Sequence, residues 1–307
     1  MTAAIEVMGL SKRYGDVAAL TDVSFAVPRG SVLGLLGHNG AGKSTLIGIL
    51  STLSRPDAGS AQVAGFDVVR QGAQVRQRIG LTGQTATLDE QISGRQNLVL
   101  IGRLLGTTRG SAEVRAQELL DLFDLCGAGD RKVRTYSGGM RRRLDLAASL
   151  VGRPDVIFLD EPTVGLDPTG RLAMWEVVRA ATRDGATVLL TTQYLDEADQ
   201  LSDSIVVMAG GTVVAAGSPN ELKARVGNRT ITARCGNPHD GRTSVLALRA
   251  AGFAPLWDAA RLAVTIPAVR TQDIVAFGQA IAGCGVEMAE ISFTEPNLDD
   301  VFHAFSG

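Results

Sequence analysis

Cysteine is scarce in this chain. The three residues, Cys126, Cys235 and Cys284, are far apart, odd in number and contain no C-x-x-C pair. That excludes a disulfide framework and a thiol redox motif, and fits inert core thiols in a reduced, cytoplasmic compartment. A basic surplus is missing too: 30 Lys and Arg stand against 32 Asp and Glu, for a net charge of −2. Composition therefore supports no nucleic-acid partner. No hydrophobic run is long enough to cross a bilayer. The longest uncharged apolar stretch, residues 204–219, is too short and is interrupted by Gly210-Gly211. The start, Met1-Thr2-Ala3-Ala4-Ile5-Glu6, has no basic patch leading into an apolar stretch, so no signal peptide is expected. Any membrane role must then come through a partner. Repeats, low-complexity tracts and long heptad runs are absent as well.

The chain has 307 residues, 45% hydrophobic and 20% charged, the profile of a soluble globular protein of about two domains. Residues 4–30 alternate apolar and polar in short runs, which predicts antiparallel strands. Residues 61–68 predict a further short strand region. Residues 88–134 are rich in helical spacing, with apolar stripes at Leu98, Ile101, Leu104 and Leu105, then at Val114, Leu119, Leu122 and Phe123. Apolar strands follow over 156–159, 187–191 and 204–208, separated by helical stretches, so the core is an α/β fold with parallel strands. Composition changes near Val226-Gly227-Asn228, giving expected domains of 1–227 and 228–307. The last stretch predicts strand 230–235, helix 242–251, strands 253–257 and 261–266, helix 271–282, strand 286–293 and a closing helix over 297–305. That order is a small α+β ferredoxin-like domain.

Residues 37–45 read Gly37-His38-Asn39-Gly40-Ala41-Gly42-Lys43-Ser44-Thr45, the pattern G-x-x-x-x-G-K-[ST]. Its glycines let consecutive N–H groups curl around an anion. Lys43 brings a mobile positive charge to the outer phosphates of a nucleotide, and the Ser44 hydroxyl is a Mg²⁺ ligand. The apolar run Ser31-Val32-Leu33-Gly34-Leu35-Leu36 before the loop and a helix over 44–53 after it supply the required strand–loop–helix setting.

Two more motifs complete a constellation. Val156-Ile157-Phe158-Leu159 leads into Asp160-Glu161, two carboxylates where a buried strand emerges. Alone this reads as a helix cap or an acidic turn. Behind a P-loop, Asp160 reads as the residue that holds Mg²⁺ and Glu161 as the general base for the attacking water. Tyr136-Ser137-Gly138-Gly139-Met140-Arg141 opens a helix and is a second anion site. The Arg141-Arg142-Arg143 run reads as a solvated helix face. His38 reads as a neutral surface residue. His239 and His303 have no paired ligands, which points to no metal beyond nucleotide-bound Mg²⁺.

The order of these motifs resembles an ABC-type ATPase, the nucleotide-binding subunit of an ABC transporter. The resemblance covers residues 4 to about 225 and implies a P-loop NTPase domain with an antiparallel β subdomain, a mixed α/β core and a helical subdomain at about 85–150. It implies ATP and Mg²⁺ as ligands, a head-to-tail homodimer with ATP at the interface, and a separate integral-membrane permease subunit at the cytoplasmic face. Carried over, Ser137, Gly138 and Gly139 would touch the nucleotide held by the partner, and Tyr14 would stack on adenine. Gln84 would sense Mg²⁺ and water and couple to the membrane subunit. Asp167, in Gly165-Leu166-Asp167, would cross the dimer interface. One departure stands out: Leu190-Thr191-Thr192 is followed by Gln193 where the family usually has His. Gln can hydrogen-bond to phosphate or water but cannot carry a proton charge. Slow but real hydrolysis and binding without turnover both remain open, and intact Glu161 and Lys43 favour the first.

Residues 191–200 (Thr-Thr-Gln-Tyr-Leu-Asp-Glu-Ala-Asp-Gln), the Tyr-Ser-Gly-Gly-Met-Arg-Arg-Arg-Leu-Asp form of residues 136–145 and the tail 292–302 narrow the resemblance to the daunorubicin/doxorubicin-resistance ATP-binding subfamily. This implies efflux of a drug, antibiotic or other hydrophobic compound. The small domain then serves dimer contact or regulation, or is a structural appendage. A non-catalytic regulator, or an ABC protein acting on ribosomes or DNA, are the alternatives.

Overall fold

Alternating apolar residues near the start fold as a long hairpin. In the computed structural model, which describes residues 3–82, 88–226, 229–268, 271–294 and 297–301, β1 (Ala3–Tyr14) and β2 (Val17–Pro28) pair antiparallel. With β4 (Ala58–Val63) and β5 (Phe66–Asp67) they form a sheet of order β2-β1-β4-β5. Ile5, Val7, Leu10, Leu20, Val23 and Val27 face its core.

A second sheet holds β3 (Val32–Leu36), β6 (Ile79–Thr82), β7 (Val156–Asp160), β8 (Thr187–Thr192), β9 (Ser204–Ala209) and β10 (Thr212–Gly217), in the order β10-β9-β3-β8-β7-β6. All its pairings are parallel except that of edge strand β10. Every residue of β3, β7 and β8 is buried. The apolar side chains of these strands divide between two cores, with Leu33, Leu35, Val156 and Phe158 in one and Ile157, Leu159, Val188 and Leu190 in the other. Both faces are thus covered, which is why these strands are continuous apolar runs and not alternating ones. Helix α1 (Lys43–Leu50) packs into the first of these cores, and α2 (Gly72–Arg76) precedes β6.

Between β6 and β7 lie α3 (Gly94–Leu104), α4 (Arg109–Leu122) and α5 (Gly138–Ser149). Ser93 and Gln96 start α3 with a capping box, and the Thr108 and Ser137 hydroxyls cap α4 and α5. Here the expected stripes are partly corrected. Leu104, Leu105, Val114 and Leu122 are exposed, whereas Leu98, Ala112, Ala116, Leu119, Leu120 and Phe123 are buried. Val114 sits roughly 200° around the helix from Ala112, off the packed face. The helices α3 and α4 approach through small residues: a Cβ on Gly102 would lie 3.0 Å from that of Ala112. After β7 come α6 (Pro168–Arg183) and α7 (Leu195–Leu201).

One compact unit ends at Pro219 and a second begins at Asn220. Helix α8 (Pro219–Val226) leads into β11 (Thr230–Cys235), α9 (Pro238–Ala250), β12 (Leu256–Asp258), β13 (Ala263–Pro267), α10 (Thr271–Cys284) and β14 (Met288–Thr294). The four strands form an antiparallel sheet of order β12-β13-β11-β14 over a core that includes Ile231, Val264, Ile266, Leu248 and Phe277. Helix α9 begins before the expected residue 242 because Asn237 caps it and Pro238 takes the first position. Of the closing helix expected over 297–305, residues 298–301 are helical and residues 302–305 lie outside the described residues.

Candidate active site

Strand order builds the site. Strand β8 lies between β3 and β7, so the loop after β3 and the carboxylates at the end of β7 and just beyond it lie at the same carboxyl end of the sheet, about 10 Å apart, two strand spacings. Gln193 follows β8, in the gap between them.

The loop after β3 needs its glycines for two reasons. Gly42 has φ 100° and caps α1, and a Cβ there would lie 2.5 Å from the Ala19 carbonyl oxygen. A Cβ on Gly37 would lie 2.6 Å from the Met208 carbonyl oxygen. Gly40, at φ 83°, has open space around it. His38, Asn39, Gly40 and Ser44 are exposed, Thr45 is half-buried and Ala41 is buried. Lys43 is buried, and its Nζ donates to the carbonyl oxygens of Gly37 at 2.6 Å and His38 at 3.1 Å. Burial holds its pKa below the ordinary lysine value, while the nearby charges of Glu161 and Asp160 pull it back up.

Thr191 organises the acidic pair. Its hydroxyl donates to Asp160 Oδ1 at 2.6 Å and accepts from the Glu161 amide at 3.0 Å. The same amide also reaches the Thr191 carbonyl oxygen at 3.1 Å. Glu161 adopts φ 48°, a left-handed conformation that costs a non-glycine residue about 1–3 kcal/mol and persists only where surroundings enforce it. The reversal turns its carboxylate toward Gln193. Gln193 Nε2 donates to Glu161 Oε1 at 2.5 Å and to Asn39 Oδ1 at 3.1 Å. Lys43, Asp160, Glu161, Gln193 and Asn39 are therefore neighbours.

Other expected residues lie elsewhere. Ser137 accepts from the Met140 amide at 3.2 Å, and Ser137 and Gly139 line a cleft of about 630 Å³ with Gly165, Leu166 and Asp167. None of residues 37–45 lines that cleft. Gly138 is exposed at the start of α5. Asp167 caps α6, accepting from the Gly170 amide at 2.7 Å. Tyr14 ends β1 half-exposed, with Lys12 Nζ 5.4 Å from its ring centroid. Gln84 lies outside the described residues.

Two features were missed in the sequence. The arginine run is not a free solvated face. Arg141 pairs with Glu90 at 3.0 Å, and Arg143 donates to the Phe123 carbonyl oxygen at 3.0 Å. Arg142 donates to three successive carbonyl oxygens, those of Asp160 at 2.9 Å, Glu161 at 2.7 Å and Pro162 at 3.0 Å. The second is Glu197, a fully buried carboxyl that accepts from Trp175 Nε1 at 3.3 Å. Burial raises its pKa above the ordinary carboxylate range, against the opposing pull of the Thr192 and Thr163 hydroxyls and the indole. Its place four residues after Gln193, in the first turn of α7, was the available signal.

Residues 20–164 match the ABC transporter family. The chain is 50% identical over 307 residues to a daunorubicin resistance ATP-binding protein of Streptomyces coeruleorubidus, covering 99% of this chain and 96% of that one. The chain belongs to the ABC transporter family, among its daunorubicin/doxorubicin-resistance ATP-binding proteins. A doxorubicin resistance ATP-binding protein of Mycobacterium tuberculosis is 48% identical over 311 residues, covering 99% of this chain and 93% of that one. A solved ATP-binding subunit of an ABC transporter superposes with TM-score 0.67 at 30% identity, over 73% of this chain and 93% of that one. An ATP-binding cassette solved as a dimer with ADP and Pi shares the fold, with TM-score 0.64 at 22% identity over 70% and 98% of the two chains. This ABC ATPase matches such cassettes over 70–73% of its length and the drug-resistance proteins over 99% of it. Among the described residues no helix is long and apolar enough to cross a membrane.

Proposed function

We propose that this ABC subunit hydrolyses ATP to drive efflux of a drug, antibiotic or other hydrophobic compound through a separate integral-membrane permease. It works as a head-to-tail homodimer on the cytoplasmic face of the membrane. The observation that carries the reading is the convergence of Lys43, Asp160, Glu161 and Gln193 at the carboxyl ends of three adjacent strands.

Each group has a task its chemistry suits. The loop amides of residues 37–45 and the α1 N-terminus cradle phosphate oxygens. Ser44 and Asp160 are hard-oxygen donors suited to Mg²⁺, which usually takes one or two protein ligands and completes its shell with phosphates and water. When bound, that ion neutralises charge on the phosphates. Lys43 adds positive charge at the outer phosphates. Glu161 takes the proton of the attacking water, and Gln193 orients Glu161 and that water through its amide. Ser137, Gly138 and Gly139 serve the nucleotide of the other copy, a reading supported by the separation of their cleft from the loop of their own chain. Tyr14 offers its exposed ring to adenine, and Gln84 senses Mg²⁺ and water and couples to the permease.

Daunorubicin and doxorubicin resistance, named for the relatives, support a hydrophobic transported compound. The test uses inverted membrane vesicles holding this subunit with its permease and a fluorescent anthracycline. ATP-dependent accumulation inside the vesicles is expected, and Glu161→Gln lowers it to background while MgATP still binds, because losing a general base costs about 10²- to 10⁴-fold. Accumulation undiminished by Glu161→Gln, or none with MgATP bound and hydrolysed, overturns the reading.

A further inference from the structure

The carbonyl oxygens of Asp160, Glu161 and Pro162 all accept from one guanidinium, that of Arg142. In an extended strand successive carbonyls point to opposite sides. Three in a row converge here because the chain reverses at Glu161, at φ 48°. The planar fork of arginine suits such a cluster, since it presents five N–H donors in fixed directions. The side chain is only 20% exposed, and the buried Asp145 carboxylate lies 3.8 Å away on the same helix. From the opposite side, Thr191 holds the Glu161 amide through both its hydroxyl and its carbonyl oxygen. The Glu161 peptide is thus gripped on its N–H side by β8 and on its carbonyl side by α5.

We propose that Arg142 is a positioning residue for Glu161: its guanidinium maintains the left-handed turn that aims the Glu161 carboxylate, and it couples that aim to helix α5. The proposal rests on the reading of Glu161 as general base. Helix α5 begins with Gly138 and is capped by Ser137, and Arg142 projects from it about one turn later. A shift of α5 is transmitted through three charge-assisted hydrogen bonds to the backbone of the base. The helix that serves one nucleotide through Ser137 and Gly139 therefore bears directly on the chemistry of the other nucleotide.

The test measures kcat and KM for ATP, MgATP affinity with a fluorescent analogue, and thermal midpoint on the full chain with its permease. The variants are Arg142→Lys, Arg142→Gln, Glu161→Gln and the double Arg142→Gln/Glu161→Gln. Arg142→Gln is expected to lower kcat by roughly 10-fold or more with KM and affinity changed less than about 3-fold, the signature of a contact that matters in the transition state. Arg142→Lys recovers part of the rate. In the Glu161→Gln background, loss of Arg142 adds no further decrease, because both changes act through one group. A kcat for Arg142→Gln within about 2-fold of wild type overturns the proposal. So does an equal further drop in the double variant, or a rate loss that only tracks lost affinity and lowered midpoint. If Arg142→Gln does not fold, Arg142→Lys carries the test with a smaller expected loss: kcat falls by more than about 2-fold at unchanged affinity and falls no further in the Glu161→Gln background, and either failure overturns the proposal. Full activity in Glu161→Gln alone is a different result: it overturns the reading of Glu161, and with it the role of Arg142.

Discussion

The Gln193 amide donates to the Glu161 carboxylate at 2.5 Å and, from the same nitrogen, to Asn39 Oδ1 at 3.1 Å. One neutral side chain therefore joins the glycine loop to the acidic pair across the strand that separates them. Gln193→Ala is expected to reduce ATPase kcat by roughly 10- to 100-fold, with MgATP affinity changed less than about 3-fold, since the amide positions more than it binds. Gln193→His keeps a donor and introduces an ionisable group. Its rate should acquire a titration between about pH 5 and 8 that wild type lacks from this position. Steady-state phosphate release across that range reads both outcomes.

Thr191 serves Asp160 and Glu161 through one hydroxyl. Thr191→Val keeps the shape but removes the hydroxyl donor to Asp160 Oδ1, while the Glu161 amide keeps only the backbone carbonyl oxygen of residue 191. The expected cost is about 1–3 kcal/mol of stability, together with a larger Mg²⁺ requirement for ATP binding. Denaturant unfolding and ATP titrations at graded Mg²⁺ check the two effects separately.

Two glycines of one loop should respond differently to the same change. Gly40 has φ 83° with nothing near its missing Cβ, so Gly40→Ala costs only the left-handed strain, about 1–2 kcal/mol. Gly42 has φ 100°, and a Cβ there would meet the Ala19 carbonyl oxygen at 2.5 Å and Leu20 Cδ2 at 2.8 Å. Gly42→Ala must move backbone as well, and is expected to destabilise the fold more and to abolish nucleotide binding. Comparing the unfolding midpoints and ATP affinities of the two variants tests this ranking.

Glu197 makes stability depend on pH. Its carboxyl is raised above the ordinary value of 4.5 mainly by burial. In the window above 4.5 and up to the raised value, the folded state holds a proton that the unfolded state has lost. Stability from this group is complete below the window and declines as pH rises through it. Glu197→Gln keeps an acceptor for the Trp175 N–H and cannot ionise. Its thermal midpoint relative to wild type should rise as pH is taken from acid toward neutrality. A difference that does not change with pH rejects this reading.

The motifs were legible because each encodes its own local geometry. Glycines at 37, 40 and 42 permit one loop, Ser137 ahead of Gly138-Gly139 caps one helix, and four apolar residues before Asp160 make one buried strand. The helical stripes were misjudged at Leu104, Val114 and Leu122, because periodicity shows that a helix has an apolar face but not which neighbour covers it. The arginine run was misjudged for a related reason: Arg141 pairs with the Glu90 carboxylate, and Arg142 and Arg143 donate to carbonyl oxygens outside their own helix, partners that no local pattern displays.

By itself, then, the sequence determined which groups are available: a glycine-rich loop ahead of a helix, a pair of carboxylates, a glutamine in place of histidine and a Ser-Gly-Gly helix start. Tertiary structure decided who meets whom. Placing β8 between β3 and β7 put Gln193 between Asn39 and Glu161, and packing α5 against the end of β7 brought Arg142 to the Glu161 backbone. The physical reason is range. Turn and cap conformations are set by residues adjacent in the chain, whereas strand order and helix docking depend on burying apolar faces contributed by segments more than a hundred residues apart.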